Sequence, residues 1–316
     1  MLERLSSKQM ASFAARGFLR FDGRVPLDVN EQFMDEAGGR NASNYAELMA
    51  NSRIPEVPAG TGLMEAYAND TALGRLVRLP WVRGAIESLV GPGSLIDHHF
   101  LHVLMPSGEQ ATTQHTHQDS TIDPRLTFDV QIMYFPHEVT PEMGGTRYVP
   151  GTHLRVVSEM AVARYQNIAG QEHVVCPAGT LIFAHHGLWH GGGRNRSDRV
   201  RFMFKIRLNP TVRQERLWDT SDLSDADCAQ RPIFHVKSRR DADHIHSILT
   251  RGERWFENDT GRIEYINRIR FWRFLLGDES FDADYWVTRV ENEPLPAEQL
   301  GSLGNRSGNA PASSGN

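Results

Sequence analysis

His117 and Asp119 stand two residues apart in Thr116-His117-Gln118-Asp119. In an extended segment that spacing puts both side chains on one face, within reach of a single metal ion. A third ligand has to come from elsewhere. Leu188-Trp189-His190-Gly191-Gly192-Gly193 offers a histidine followed by three glycines, where backbone can approach a bound ligand with no Cβ in the way. Two imidazoles and one carboxylate make a facial set that suits non-haem Fe(II) and leaves coordination positions open. Arg201 follows on the next β-like run. A guanidinium grips a carboxylate through two parallel charge-assisted hydrogen bonds, the hold that a keto-acid cosubstrate needs.

Pattern alone leaves rivals. His185 and His186 end the run Gly179-Thr180-Leu181-Ile182-Phe183-Ala184, and period-two alternation can direct either of them inward. His190 is preferred because the glycines follow it and Arg201 lies downstream. In Arg199-Val200-Arg201-Phe202-Met203-Phe204-Lys205-Ile206 the residues Arg199, Arg201, Met203 and Lys205 share a face, so Arg199 competes with Arg201. A lone His-x-Asp is more often a surface hydrogen-bonding pair than a metal site. Here its flanks strengthen it. Val103 to Gly108 reads as a strand ending in a turn and Phe128 to Phe135 as another strand, which sets His117 and Asp119 at a strand mouth opening on a cavity.

The elements that must position these groups are legible in outline. Residues 6–16 read as a short helix capped by Ser6 or Ser7, with Met10, Phe13 and Ala14 on one face and Gly17 as its stop. Phe18 to Phe21 reads as a strand. From 28 to 92 the pattern is mostly helical, broken near Pro55, Pro58 and Gly60, with a helix over 71–89 interrupted at Pro80. After Gly91-Pro92-Gly93 come short runs rich in β-formers, at 95–105, 127–135, 146–149, 173–175, 180–184 and 199–208. Strands of this length between Gly and Pro predict a mostly β core with flanking helices, a double-sheet barrel or jelly roll. The expected organisation is one catalytic domain over 1–300: helical support over about 1–92, the β core over about 93–210 and a helical extension over about 211–300. In that extension Ile263, Ile266, Ile269 and Phe274 alternate with arginines, as in a helix packed on the outside of the core, joining two chains as a homodimer or forming an active-site lid. Residues 301–316 are Gly, Ser, Asn and Ala with almost no apolar bulk, the composition of a disordered tail.

Composition narrows the class of partner. The 316 residues carry 34 basic and 39 acidic side chains, a net charge of -5. The charges are interspersed, which gives no footprint for nucleic acid or an anionic membrane and leaves a small molecule as the expected substrate. Two cysteines, Cys176 and Cys228, are too few for a disulfide framework and lack zinc-site spacing. With charges near the start and no apolar run long enough to span a bilayer, the expectation is a soluble, cytoplasmic protein.

Three blocks in order resemble the phytanoyl-CoA dioxygenase-like branch of the Fe(II)- and 2-oxoglutarate-dependent oxygenases, over roughly residues 6–208. They are His117-Gln118-Asp119, the run Gly144-Gly145-Thr146-Arg147-Tyr148-Val149-Pro150-Gly151-Thr152-His153, and Trp189-His190-Gly191 through Asn195 to Arg201. The resemblance implies the double-stranded β-helix (jelly-roll) fold and iron held by His117, Asp119 and His190. It also implies 2-oxoglutarate held at its far carboxylate by Arg201, eleven residues after the histidine, which decides against Arg199 and His186. His153 is then a turn-stabilising residue rather than a ligand. Family members often place a polar cosubstrate contact on the strand before the motif, where this chain has His98, His99 and His102; of these His102 is the one taken. Some members carry a serine two residues after the distal histidine, and this chain has Gly192 there. The implied reaction consumes O2 and 2-oxoglutarate, releases succinate and CO2, and hydroxylates or otherwise oxidises an unactivated C–H bond. Related halogenating enzymes have a small residue in place of Asp119. Two alternatives are a cupin-like metalloenzyme without 2-oxoglutarate, which would tolerate loss of Arg201, and a catalytically silent binding protein of the same fold. Loops that should roof the cavity, and arginines such as Arg125, Arg147, Arg155 and Arg164, do not single out a substrate.

Overall fold

The computed structural model describes residues 2–39, 44–106, 113–119, 127–155, 167–223 and 260–281, with positions 283, 286, 287 and 290 beyond them. Helix α1 (Ser7–Arg16) opens with a capping box: the Ser6 hydroxyl accepts from the Gln9 amide, and the Gln9 side chain accepts from the Ser6 amide. Gly17, at φ 82°, ends it and donates its amide to Phe13. Five further helices follow: α2 (Leu27–Glu36), α3 (Tyr45–Asn51), α4 (Leu63–Ala66), α5 (Ala72–Arg78) and α6 (Pro80–Leu89). The break expected at Pro80 falls between α5 and α6. The proline has no amide to give to α5, and its fixed φ starts α6 instead.

Eight strands form two antiparallel sheets. The strands are β1 (Phe18–Phe21), β2 (Leu95–Leu104), β3 (Val130–Phe135), β4 (Thr146–Tyr148), β5 (Glu172–His173), β6 (Thr180–His185), β7 (His190–Gly192) and β8 (Arg201–Asn209). The larger sheet runs β1-β6-β3-β8-β2 and the smaller β5-β4-β7. The chain passes from the larger sheet to the smaller after β3 and crosses between them again around β6, β7 and β8, as in the expected jelly roll; among the described residues the sheets do not hydrogen-bond into a closed barrel. Every residue of β3 is buried, because both of its faces are covered. Ile132 and Tyr134 face the helices in the main core, whereas Met133 and Phe135 face the second core, which joins Met203 to Tyr148 and Val174 of the smaller-sheet region. That two-sided burial is why the strand reads as one apolar run with no alternation.

Three details differ from the sequence reading. β7 was not expected, since a His-Gly-Gly run has little strand propensity and is held as a strand by its neighbours. β5 covers 172–173 rather than 173–175. β8 begins at Arg201, so Arg199 lies outside it, exposed and 3.8 Å from Glu138.

Helix α7 (Thr260–Leu276) buries Ile266, Ile269, Phe271, Trp272, Leu275 and Leu276 in the main core. Its Phe271 ring meets Phe13 and Phe128, and Trp272 stacks on Trp218 at 5.3 Å. This is the packed helix expected, with its apolar side spent inside its own chain. No helix among the described residues is long and apolar enough to cross a membrane. The tail over 301–316, residues 224–259 of the C-terminal extension, Cys228, Arg125, Arg164 and the side chain of Ile263 lie outside the described residues.

Candidate metal centre

The segment carrying His117 lies against β7 through one antiparallel bridge. The His117 amide donates to the His190 carbonyl and the His190 amide to the His117 carbonyl, each at 2.9 Å, and the two rings come within 4.4 Å. Two residues on, the Asp119 amide donates to the His186 carbonyl at 3.2 Å. Backbone pairing thus brings the carboxylate beside the rings. Asp119 Oδ1 is 3.4 Å from His117 Nε2, and Oδ2 is 3.7 Å from His190 Nε2. One ligand atom from each of the three residues lies within 4.8 Å of the others, the only such cluster among the described residues.

Both imidazoles are oriented from behind. His117 Nδ1 donates to the His115 carbonyl and His190 Nδ1 to the Leu188 carbonyl, each at 2.9 Å. With Nδ1 as the donor, the neutral form of each ring carries its lone pair on Nε2, the tautomer a metal requires, whereas the protonated His117 donates from Nε2 to Asp119. Burial pushes His190 down to about 4 despite the nearby Asp119. For His117 burial also acts downward, but the bond to Asp119 and the His115 carbonyl reverse it and the value is raised. Burial would raise Asp119, yet the bond from His117 and the charges of His190 and Lys205 hold it far below the usual carboxylate range.

Sequence reasoning did not assign a role to the groups behind Asp119. Gln131 Nε2 donates to its Oδ2, Lys205 Nζ lies 3.5 Å from the same oxygen, and Arg207 donates to its backbone carbonyl while binding Asp129. The signal available for Gln131 was a polar residue in the middle of the apolar run of β3.

Arg201 stands at the start of β8, opposite Leu104. Its guanidinium donates to the Met143 and Gly193 carbonyls, both at 3.3 Å, and has no carboxylate partner among the described residues. Burial pushes it down to about 10. Arg201, His117 and His190 share a cavity of about 60 Å³ with His102, Gln114, Met133, Thr146, Gly192, Met203 and Lys205. His102, Gln114, Gly192 and Arg201 also line an adjoining cavity of about 220 Å³. His102 Nε2 is buried without a hydrogen-bond partner among the described residues, and burial, reinforced by Lys205, pushes this imidazole down to about 4. At Gly192 an added Cβ would lie 3.3 Å from Gln114 Oε1 and 3.6 Å from Arg201 Nη2. Gln114 occupies the space beside the glycine and accepts its amide at 2.8 Å.

The rivals lie elsewhere. His185 and His186 are buried beyond the cluster: His185 Nδ1 accepts from the Gly187 amide, and His186 Nδ1 from the Asp129 amide. His153 sits in the 3-10 turn Thr152–Leu154 and bonds Ala14, tying that turn to α1. His99 meets the Tyr67 hydroxyl and His98 meets Asp97. Arg155 lies over the Trp189 ring, and Arg147 lines a larger depression, about 640 Å³, that none of the three clustered residues borders.

Comparison with known proteins adds a family likeness over part of the chain. The profile of phytanoyl-CoA dioxygenase (PhyH) matches residues 68–203. No curated protein sequence matches the chain. Among solved structures, HygX from Streptomyces hygroscopicus with nickel and 2-oxoglutarate bound is similar at 17% identity and TM-score 0.49, over 71% of this chain and 94% of that one. The non-heme alpha-ketoglutarate-dependent carbocyclase SnoK from nogalamycin biosynthesis is similar at 20% identity and TM-score 0.46, over 65% and 84%. The nickel complex of the non-heme monooxygenase ThoJ is similar at 21% identity and TM-score 0.44, over 65% and 80%. The matched span takes in His102, His117, Asp119, His190 and Arg201, and over it the chain is similar to the phytanoyl-CoA dioxygenase family.

Proposed function

We propose that this protein is an Fe(II)- and 2-oxoglutarate-dependent oxygenase that hydroxylates, or otherwise oxidises, an unactivated C–H bond of a small-molecule substrate. The observation that carries the reading is one cavity lined by His117, His190 and Arg201, with Asp119 against both imidazoles. The donor set fits ferrous iron: two neutral imidazole nitrogens and one ionised carboxylate on one side, with room for further ligands opposite. His117, Asp119 and His190 would hold the ion, and their ring tautomers are already set for it. Arg201 would hold the distal carboxylate of 2-oxoglutarate, and an arginine buried with only carbonyl partners among the described residues is suited to an incoming anion. His102, neutral and with no hydrogen-bond partner for Nε2 among the described residues, would make the polar contact to the cosubstrate.

When bound, the iron supplies the activation of O2 that is coupled to loss of CO2 from the keto acid. The chain binds and orients. Arg201 and the triad fix both ends of the cosubstrate, while Met133, Met203 and the buried strand walls keep bulk water from the reacting centre. A cupin-like metalloenzyme without a keto acid would have no use for Arg201. The test is turnover: purified protein with Fe(II), O2 and 2-oxoglutarate should release succinate, and Asp119→Ala and Arg201→Ala should each stop it. Undiminished succinate in either variant removes that residue from its assigned role.

A further inference from the structure

We propose that Lys205 is a second anion anchor for the cosubstrate, so that one strand holds a dicarboxylate at both ends, through Arg201 and Lys205. This rests on the oxygenase reading above. Along β8, Arg201, Met203 and Lys205 alternate onto the cavity face, opposite Leu104, His102 and Phe100 of β2, and Lys205 is also opposite Met133 of β3. Four residues of strand separate the two cations by about 13 Å of backbone, and both long side chains converge on the same small cavity. That arrangement suits a short diacid.

Lys205 is poorly paired for its depth. Its side chain is 13% exposed, and its partner among the described residues is Asp119 Oδ2 at 3.5 Å. Gln131 donates to that same oxygen, so Asp119 does not depend on the ammonium for its orientation. Were Asp119 to give its charge to a dication, the ammonium would stand beside that dication with no other carboxylate among the described residues. A buried cation in that position requires an anion. A carboxylate seated at the metal end of the cavity meets the requirement, and Lys205 would take it by a charge-assisted hydrogen bond.

The experiment is calorimetric titration of Mn(II)-loaded protein with 2-oxoglutarate and with 2-oxopentanoate, which lacks the distal carboxylate. Mn(II) affinity and melting temperature are measured alongside. Wild-type protein should prefer 2-oxoglutarate, and Arg201→Met should erase that preference. Lys205→Met should weaken both ligands about tenfold or more while keeping the preference, and Lys205→Arg should recover most of the loss. Should Lys205→Met not fold, Lys205→Gln carries the same expectation. If Lys205→Met binds both acids as wild type does, or loses Mn(II) affinity alone, Lys205 serves only Asp119 and the proposal is overturned. If wild-type protein binds no 2-oxoglutarate, the oxygenase reading itself fails.

Discussion

His117 and His190 sit directly opposite each other, each amide bonded to the other's carbonyl, so the spacing of the two imidazoles is fixed by backbone before either side chain chooses a rotamer. That explains how residues 73 positions apart in the chain meet at one point, and why a glycine follows the second of them. A Cβ on Gly191 would lie 2.8 Å from the His115 carbonyl and 3.1 Å from that of Gln114.

Gly191→Val should therefore push the His117 segment off β7. Expected is a loss of divalent-metal affinity of about tenfold or more, with near-native circular dichroism, because the clash falls on a short bridge and not on the core. Metal affinity equal to wild type would show that the bridge does not set the ligand spacing.

Gln131 is predicted to hold Asp119 in position for the metal. Replacing it by leucine keeps the volume and removes the donor to Oδ2. Metal affinity should fall about 10- to 100-fold, the usual cost of losing a partner of a ligating group. Calorimetry with Mn(II) reads this directly, and an unchanged isotherm would count against it.

Much of the architecture was legible in the sequence for physical reasons. Ser6, Gln9 and Gly17 bound α1 by local hydrogen bonding, and Pro80 splits two helices by its missing amide; neither depends on the rest of the chain. The spacing of His117 and Asp119 put them on one face for a similarly local reason. What the pattern left open turns on long-range contacts. Choosing among His185, His186 and His190 depends on which backbone lies opposite His117, and strand β7 exists only through its pairing with β4 and that bridge. Gln114 gave no signal of its own, and Lys205 only its place on the face of Arg201, because the cavity joins residues from β2, β3, β4, β7 and β8.

Acid should destabilise the fold through histidines buried as neutral rings. Burial pushes His153 down to about 3 and His185 well below its ordinary value, and both lie in an aromatic cluster with Phe271. Because the folded values are lowered, the unfolded chain takes up these protons first. Stability is therefore complete above about pH 6.5 and falls as the pH drops below it, continuing toward about 3 for His153, at up to about 1.4 kcal/mol per pH unit for each ring. Urea unfolding at pH 7.5, 6.5 and 5.5 measures the slope. His153→Gln should flatten it by one proton, and an unchanged slope would exclude His153 as a contributor.

The most direct measurement is the visible absorption spectrum of the protein mixed anaerobically with Fe(II) and 2-oxoglutarate. Chelation of the keto acid by iron held at His117, Asp119 and His190 predicts a metal-to-ligand charge-transfer band in wild-type protein and none in His190→Ala. Iron bound without such a band, or a band undiminished in His190→Ala, would contradict the assignment of this centre.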